Sequence, residues 1–512
     1  MIHTLIIGVR GFLSGDGALI LPEMELVLFA CGILLIDHWL ASDEKHWNAL
    51  LALAGTAFSG FTLYVQHGKM QALRESNPES PGLLGFHQSV LVDPFFLFFA
   101  VLFVASTALI ILLSVRYLEI VEERRGAYHA LLLLACVGMM LMVSGVDLMI
   151  VFLGLEITAL SCFLLTGCAR TAQSDARASR AYAFFWACSS FSLAGGFLML
   201  YRLYQTTNLG RIGAILETRL DNGVAFGGLT AWPVPVALVL LVVGVFFSID
   251  AAPLHWFAPG ICESAPTPVV AYLSAAAKVA GFALLLRFLS FVFVFAHEKW
   301  IHVWGGAAIV SLLWGNIAAL RQRNAKRLLA YGSVAHAGFV LLGLVAGSEA
   351  GFSGMMYYLG VYVFMTIGAF GVLIVLQQRG EASAQLADLD GLYRRSPVAA
   401  LLLLVFMMSL AGIPLTGGFV AKYFIVKALM AAPHPELAAF AVVNALLSVY
   451  YYGRVVAHAW KKPAADAPPL EASALTISSG QTIALTAAVF VSLAAGLYPE
   501  PFLRIARYAF GQ

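Results

Sequence analysis

Long apolar segments follow one another along almost the whole chain, and only short polar connections separate them. A helix needs about 20 apolar residues to cross a hydrocarbon core about 30 Å thick. The pattern therefore predicts an all-α integral membrane protein with about fourteen transmembrane helices. The predicted spans are 19–40, 48–66, 94–115, 127–145, 147–167, 181–204, 232–251, 267–289, 300–319, 327–346, 352–377, 397–413, 436–460 and 480–499.

Two proline-containing segments interrupt the helical pattern. One surrounds Pro253, and the other surrounds Pro414, which a half-length apolar segment, 416–430, follows. Proline removes a backbone hydrogen bond and clashes with the preceding turn. Within a membrane such backbone is tolerated only where protein or trapped water satisfies it. Paired broken helices indicate an ion path at the midplane of a transporter, although two ordinary proline kinks would give the same pattern.

Composition and charge agree with a chain that faces lipid. Hydrophobic residues make up 61% of the sequence and charged residues 11%, whereas a soluble domain carries roughly 25% charged residues. The net charge of +2 is too small to indicate a nucleic-acid partner. The six cysteines include no CxxC pair of the kind that holds zinc or an iron–sulfur cluster. Lysine and arginine concentrate in connections after odd-numbered spans, such as 320–326, so both termini should lie on the outer face.

Five ionisable residues lie inside predicted spans or at a break. They are Glu156, Asp250, Lys278, His336 and Lys422. An ionisable group at mid-bilayer costs roughly 2.5–3.5 kcal/mol, and burial disfavours its charged form. Such groups can take up and release protons near neutral pH. The pattern therefore predicts a proton relay.

Each of these residues also has a simpler structural explanation. Glu156 and Lys278 could form a buried ion pair that only locks two helices together. Lys422 could extend from its short half-helix to the membrane interface, and His336 could be a hydrogen-bonded core residue. Asp250 could cap the second half of the broken helix.

Five segments carry a family resemblance: FLGLEITAL, APLHWFAPGICESAPTPV, SAAAKVAGF, RQRNAKRLLAYGSVAHAGF and MMSLAGIPLTGGFVAKYF. They resemble subunit N of bacterial NADH-quinone oxidoreductase, respiratory complex I, and the likeness extends from about Leu19 to the last span. It implies two inverted five-helix repeats in which helices 7 and 12 are broken. The implied units are helices 1–3 (1–126), the first repeat (127–289), the second repeat (300–460), and a loop with helix 14 (461–512).

The resemblance also implies a function and partners. The chain would be a proton-translocating subunit of the membrane arm in the bacterial inner membrane, beside other antiporter-like subunits and driven by quinone reduction elsewhere in the complex. NADH, flavin, iron–sulfur clusters and quinone would belong to partner subunits, and this chain would hold no cofactor or metal. The family's helix-5 glutamate matches Glu156, its helix-8 lysine matches Lys278, and its helix-12 lysine matches Lys422.

One position departs from the family pattern. Members usually carry a lysine five residues before the proline of the first break, paired with the helix-5 glutamate, and that position is Ser248 here. Two outcomes follow. Either Lys278 becomes the partner of Glu156 and shortens the relay, or the first half of the path is weakened and the relay depends on His336 and Lys422.

We expect the first outcome, a contact between Glu156 and Lys278. Asp250 does not replace the missing lysine, because it is acidic and, two residues along a helix, points to roughly the opposite face. Other functions remain open: a structural membrane-arm subunit with reduced pumping, or a subunit of a related cation antiporter or membrane-bound hydrogenase. The segment RQRNAKRLLAYGSVAHAG favours complex I over the last of these.

Overall fold

The structure is a computed structural model that describes residues 15–41, 44–78, 80–121, 125–167, 175–221, 233–293, 297–377, 385–462 and 477–510. It is built almost entirely of helices. The strands β1 (Leu83–Gly85) and β2 (Val90–Val92) form an antiparallel hairpin with Leu83 opposite Val92, within the predicted connection 67–92. Most of the other predicted connection, 461–478, lies outside the described residues.

The helices follow one another in chain order with short connections. They are α1 (Leu21–Asp37), α2 (Trp47–Ser76), α3 (Pro94–Val121), α4 (Arg125–Ser144), α5 (Leu148–Thr166), α6 (Asp175–Tyr204), α7 (Leu209–Asp221), α8 (Pro233–Ile249), α9 (Ala258–Ser264), α10 (Thr267–Val292), α11 (His297–Leu320), α12 (Ala325–Val345), α13 (Glu349–Leu376), α14 (Pro397–Ala411), α15 (Gly417–Ala431), α16 (Glu436–Trp460), α17 (Ser479–Leu497) and α18 (Glu500–Ala509). Single helical turns lie at Asp16–Ala18, Glu44–His46, Leu386–Leu389 and Leu392–Arg395.

Every predicted span coincides with a helix, so the all-α membrane fold is confirmed. Among the described residues, eleven helices are long and apolar enough to cross a membrane, and α8 and α14 are shorter apolar helices. The count of fourteen spans, the inverted repeats, the four units and the outer position of the termini stay predictions. Helix α2 continues ten residues beyond the predicted end at 66, because its polar last turns pack against α18, where Arg74 lies over the Tyr508 ring.

Helix α13 lies at the centre of the molecule. It packs against α3, α10, α12, α14, α15, α17 and α18, and most of its side chains are buried. Its N-terminus is fixed by Ser348, whose hydroxyl accepts a hydrogen bond from the Gly351 amide at 3.2 Å. Asn324 caps α12 in the same way through the Arg327 amide. These caps satisfy amide groups that the first helical turn leaves unpaired.

Both predicted helix breaks are present. Helix α8 ends at Ile249, and the chain does not become helical again until Ala258. Helix α14 ends at Ala411, where Gly412 takes a left-handed conformation (φ 82°), and α15 begins at Gly417. In the first break the freed Ala252 amide donates to the Ser311 hydroxyl of α11 at 2.9 Å.

Candidate proton path

The first break brings an acid against a buried lysine. Lys278 lies on α10 with only 2% of its side chain exposed, and its Nζ is 2.9 Å from Oδ2 of Asp250. A π-helical turn, Leu273–Ala277, directly precedes Lys278. Such turns insert one residue into a helix and are frequent at functional sites, and here the turn sets the direction in which Lys278 leaves α10.

The alternative that Asp250 caps the second half of the broken helix is wrong. Helix α9 is preceded by Phe257, and no side chain caps its N-terminus. Asp250 instead follows the last residue of α8 with a left-handed backbone, φ 51°. The helical spacing that predicted the opposite face does not apply beyond the end of the helix, so Asp250 can turn towards Lys278.

Glu156 is bound by other groups, and the expected contact between Glu156 and Lys278 is wrong. The Trp186 indole donates to Oε2 of Glu156 at 3.0 Å, and the Ser190 hydroxyl donates to Oε1. Both donors lie on α6, which packs against α5. Glu156 is half-buried, and it is bound by two neutral donors while Lys278 has its carboxylate partner in Asp250.

A small cavity lies between Trp186, the partner of Glu156, and Asp250, the partner of Lys278. Its volume is about 90 Å³, and its lining includes Trp186, Ser189, Ser248, Asp250 and Ser274. A water molecule needs roughly 10–15 Å³ measured in this way, together with two to four polar partners, so the cavity has room for several. The Ser248 hydroxyl lies 3.4 Å from that of Ser189, and the short serine side chain is one reason why the space is open.

Helix α12 extends the polar contacts beyond Lys278. Ser333, His336 and Phe339 follow one another at three-residue intervals, which places them along one helix face. The Lys278 ammonium donates to the Ser333 hydroxyl at 2.7 Å. At the other end of this stripe the Lys422 ammonium lies 5.0 Å from the centre of the Phe339 ring. His336 therefore lies between the two lysines along α12.

Tyrosine hydroxyls surround His336, which is 3% exposed. Its Nδ1 is hydrogen-bonded to the Tyr358 hydroxyl at 2.6 Å and its Nε2 to the Tyr452 hydroxyl at 3.2 Å. Tyr362 packs against the same ring and donates to the Ser274 carbonyl at 3.0 Å. These tyrosines come from α13 and α16, and sequence reasoning missed them, because a tyrosine in an apolar span gives no signal that distinguishes it from a packing residue.

Lys422 is buried at the second break, and the alternative that it extends to the membrane interface is wrong. It is 5% exposed, and its Nζ donates to the carbonyls of Leu410 (3.1 Å) and Ala411 (2.8 Å) and to the Ser448 hydroxyl (3.1 Å). The carbonyls belong to the last turn of α14, where the helix dipole is negative. Within the described residues, no carboxylate lies within 4.0 Å of this ammonium.

The structure thus brings the five sequence-predicted residues into one series of polar groups. Glu156 and the cavity come first, then Asp250 with Lys278, then Ser333 and His336, and finally Lys422. Across the ranges that the structure describes, no group of three or more His, Cys, Asp or Glu side chains could hold a metal ion. The groups in the series are of the kind that exchanges protons, and the hydroxyls between them can pass a proton on.

This chain is a helical membrane bundle with two broken helices and buried lysine and histidine side chains, and it has the antiporter-like membrane fold. Residues 145–448 match the family described as NADH:quinone oxidoreductase/Mrp antiporter, TM. A protein of Koribacter versatilis (strain Ellin345) named NADH-quinone oxidoreductase subunit N 1 is 40% identical over 501 residues, 96% of this chain and 95% of the relative. The chain therefore belongs to the subunit N family of NADH-quinone oxidoreductases.

Two further comparisons agree with this assignment. NADH-quinone oxidoreductase subunit N 2 of Solibacter usitatus (strain Ellin6076) is 38% identical over 498 residues, 96% of this chain and 97% of the relative. A chain in the structure of respiratory complex I from Thermus thermophilus with bound aureothin has a TM-score of 0.74 and 26% identity. That match covers 94% of this chain and 98% of the other. The family resemblance read from the sequence is confirmed.

Proposed function

We propose that this chain moves protons across the membrane as a membrane-arm subunit of an NADH-quinone oxidoreductase, respiratory complex I. The observation that carries the proposal is the ion pair between the buried Lys278 and Asp250, which lies between the cavity beside Glu156 and the α12 stripe that ends at Lys422. Relatives named as subunit N of NADH-quinone oxidoreductase cover nearly the whole chain, and they support the same function.

Each residue has a distinct role in this proposal. Glu156 takes up a proton and passes it through cavity water to the Asp250–Lys278 pair. When Asp250 accepts it, the attraction that holds the Lys278 charge is removed, and Lys278 releases its own proton to the hydroxyl and imidazole groups along α12. His336 and its tyrosines carry it to Lys422. Charge shifts of this kind act strongly because a dry interior screens them little.

The redox chemistry belongs to other chains in this proposal. NADH, flavin, iron–sulfur clusters and quinone are handled by partner subunits, and this chain contributes no redox centre. Its partners are other membrane-arm subunits, including neighbouring antiporter-like ones, and the lipid of the bacterial inner membrane. The identity of 40% with a protein named subunit N favours this assembly over a cation antiporter or a membrane-bound hydrogenase.

A structural subunit with reduced pumping is the second candidate, and Ser248 is the residue that favours it. A serine cannot carry a positive charge next to Glu156. The ion pair at the same break favours pumping because of its position: Asp250 lines the cavity, and Lys278 donates to Ser333 on α12.

A double-mutant cycle on Asp250 and Lys278 tests the proposal. In the purified complex reconstituted into vesicles, Asp250→Asn or Lys278→Met should each slow proton movement through this chain about tenfold, which corresponds to about 1.4 kcal/mol on the barrier. Each variant should therefore move fewer protons per NADH oxidised. The double variant should be no worse than the poorer single variant, because the two residues act as a unit.

Lys427→Met is the matched control, because Lys427 is an exposed lysine on α15 and its loss should leave pumping unchanged. Assembly of every variant is checked by NADH oxidation with a soluble electron acceptor. Unchanged pumping in both single variants, with normal assembly, would leave the structural subunit as the function.

A further inference from the structure

A long apolar groove runs between α2, α3, α13, α17 and α18, away from the proton path. Its volume is about 470 Å³, within the range of roughly 300–1,000 Å³ that small-molecule sites occupy. Three of its lining side chains, Tyr64, Val101 and Ile505, are exposed by 73%, 53% and 55%. The groove therefore opens on the outside of the molecule, among exposed apolar side chains.

One end of the groove is polar. The Arg74 guanidinium lies 5.4 Å from the centre of the Tyr508 ring, and the His67 ring packs edge-on against the same ring at 6.0 Å. Gly60, His67 and Arg74 are seven residues apart along α2, so they lie on one face of that helix. A molecule with an apolar part beside Gly60 and a charged part beside Arg74 would therefore lie along a single face of α2.

Two donors at this end have no hydrogen-bond partner among the residues that the structure describes. Nε of Arg74 and the hydroxyl of Tyr508 are both buried, and no described residue forms a hydrogen bond with either. A buried donor without an acceptor destabilises the fold. Arg74 also forms no ion pair with any acidic side chain of the described ranges, so an acceptor from outside the chain would satisfy both donors.

Helix α18 has the sequence pattern of a helix that lies at a membrane surface. Phe502, Ile505 and Ala509 line the groove, whereas Arg504 and Arg507 are exposed on the other side of the helix. A short helix with one apolar and one basic face lies in the interface, with its apolar face towards the acyl chains. Its arginines add positive potential where headgroups are found.

We propose that the groove is a binding site for one anionic phospholipid. An acyl chain lies between α2 and α3, and the phosphate accepts hydrogen bonds from Arg74 and Tyr508. Arginine suits this role because its planar guanidinium binds phosphate oxygens in pairs. The site is separate from the proton path, and the proposal does not depend on proton pumping.

Photolabelling of the whole purified complex tests the site. Phosphatidylglycerol and phosphatidylcholine, each with a photoreactive group on one acyl chain, are compared at equal concentration. We expect phosphatidylglycerol to label peptides from α2 and α18, and Arg74→Gln to lower that labelling about fivefold, as the loss of one arginine near a charged headgroup would. Labelling by phosphatidylcholine should be weak and unaffected.

A second variant fills the groove without touching the charge. A Cβ at Gly60 would meet no atom closer than 4.0 Å, so Gly60→Leu should fold and should abolish labelling by both lipids. Gly68→Leu on the exposed side of α2 and Arg211→Gln on α7 are the matched controls and should label as the native complex does. Equal labelling by the two lipids, or no labelled peptide from α2 or α18, would overturn the proposal; the second result is expected if a neighbouring subunit covers the groove.

Discussion

At the scale of single residues, Ser248 decides what lies between Glu156 and the Asp250–Lys278 pair. Its hydroxyl contacts Ser189 and the Gly244 carbonyl, and beyond it lies the cavity of about 90 Å³. A longer side chain at this position would occupy space that water can fill. The serine therefore replaces a fixed charge with a site for mobile water in the proposed path.

A lysine at position 248 should harm proton movement. In Ser248→Lys the new ammonium enters the cavity and competes with Lys278 for Asp250, and its side chain displaces water. We expect fewer protons moved per NADH oxidised by the reconstituted complex, with electron transfer to a soluble acceptor unchanged.

Two further substitutions at this position separate the charge effect from the space effect. Ser248→Met fills the cavity without a charge and should cause part of the loss, whereas Ser248→Ala should leave pumping near the native value. If Ser248→Lys moved more protons per NADH oxidised than the native complex, the first half of the path would need the lysine charge that family members usually carry at this position.

At the scale of helices, the break between α14 and α15 forms the site of Lys422. The last turn of α14 leaves carbonyls unpaired, and two of them accept hydrogen bonds from the Lys422 ammonium. Gly412 permits the turn because its φ of 82° is unfavourable for residues with a Cβ. The same glycine lies against Lys422, since a Cβ there would be 2.8 Å from Cδ of that lysine.

Gly412→Ala should therefore change pumping as well as stability. The left-handed backbone alone costs an alanine about 1–2 kcal/mol, and the added methyl group pushes Lys422 away from the carbonyls of α14. We expect a lower unfolding temperature together with a clear loss of proton movement in vesicles.

Gly391→Ala provides the control for backbone strain. Gly391 has a similar φ of 76° but lies at the connection before α14, away from Lys422. The Gly391→Ala variant should therefore lose a similar amount of stability, and its proton pumping should be unchanged. Equal pumping in the two alanine variants would argue against a role for the position of Lys422.

At the scale of the whole molecule, a buried ion pair joins the N-terminal helices to α10. Both terminal nitrogens of Arg287 contact the Asp93 carboxylate, at 2.6 and 3.0 Å, and the guanidinium also donates to the Val143 carbonyl at the end of α4. Arg287 is 3% exposed and lies over the Phe95 ring. The Asp93 carboxylate also accepts a hydrogen bond from the Phe96 backbone amide at the start of α3. This group of contacts therefore connects the start of α3, the end of α4 and the last part of α10.

Breaking this pair should destabilise the whole chain. Arg287→Met leaves the Asp93 carboxylate buried and unpaired, which costs about 3–5 kcal/mol. We expect a lower midpoint of thermal unfolding and less assembled complex in the membrane, measured by native electrophoresis.

The double variant Arg287→Met with Asp93→Asn should recover part of this loss. The side-chain oxygen of the new asparagine can still accept a hydrogen bond from the Phe96 backbone amide, and no buried charge remains. No recovery would indicate that the contact with Val143, and not the ion pair, connects the three helices.

The sequence by itself determined the helices, the two breaks and the family. Apolar segments of membrane-crossing length, proline at two interruptions and five isolated charges are local properties of the chain, and each has one favourable structure in a bilayer. Glu156, Lys278, His336 and Lys422 could be chosen because a charge in an apolar span is costly wherever the neighbouring helices lie.

Only the tertiary structure decided which of these groups contact each other. Lys278 was expected to pair with Glu156, and capping of a helix was one alternative for Asp250. In the structure Asp250, which has a left-handed backbone after the end of α8, contacts Lys278 directly after the π-helical turn of α10. The tyrosines around His336 come from two other helices, α13 and α16. Contacts of this kind depend on how the helices pack against each other, and the pattern of apolar and polar residues along the chain does not predict that packing.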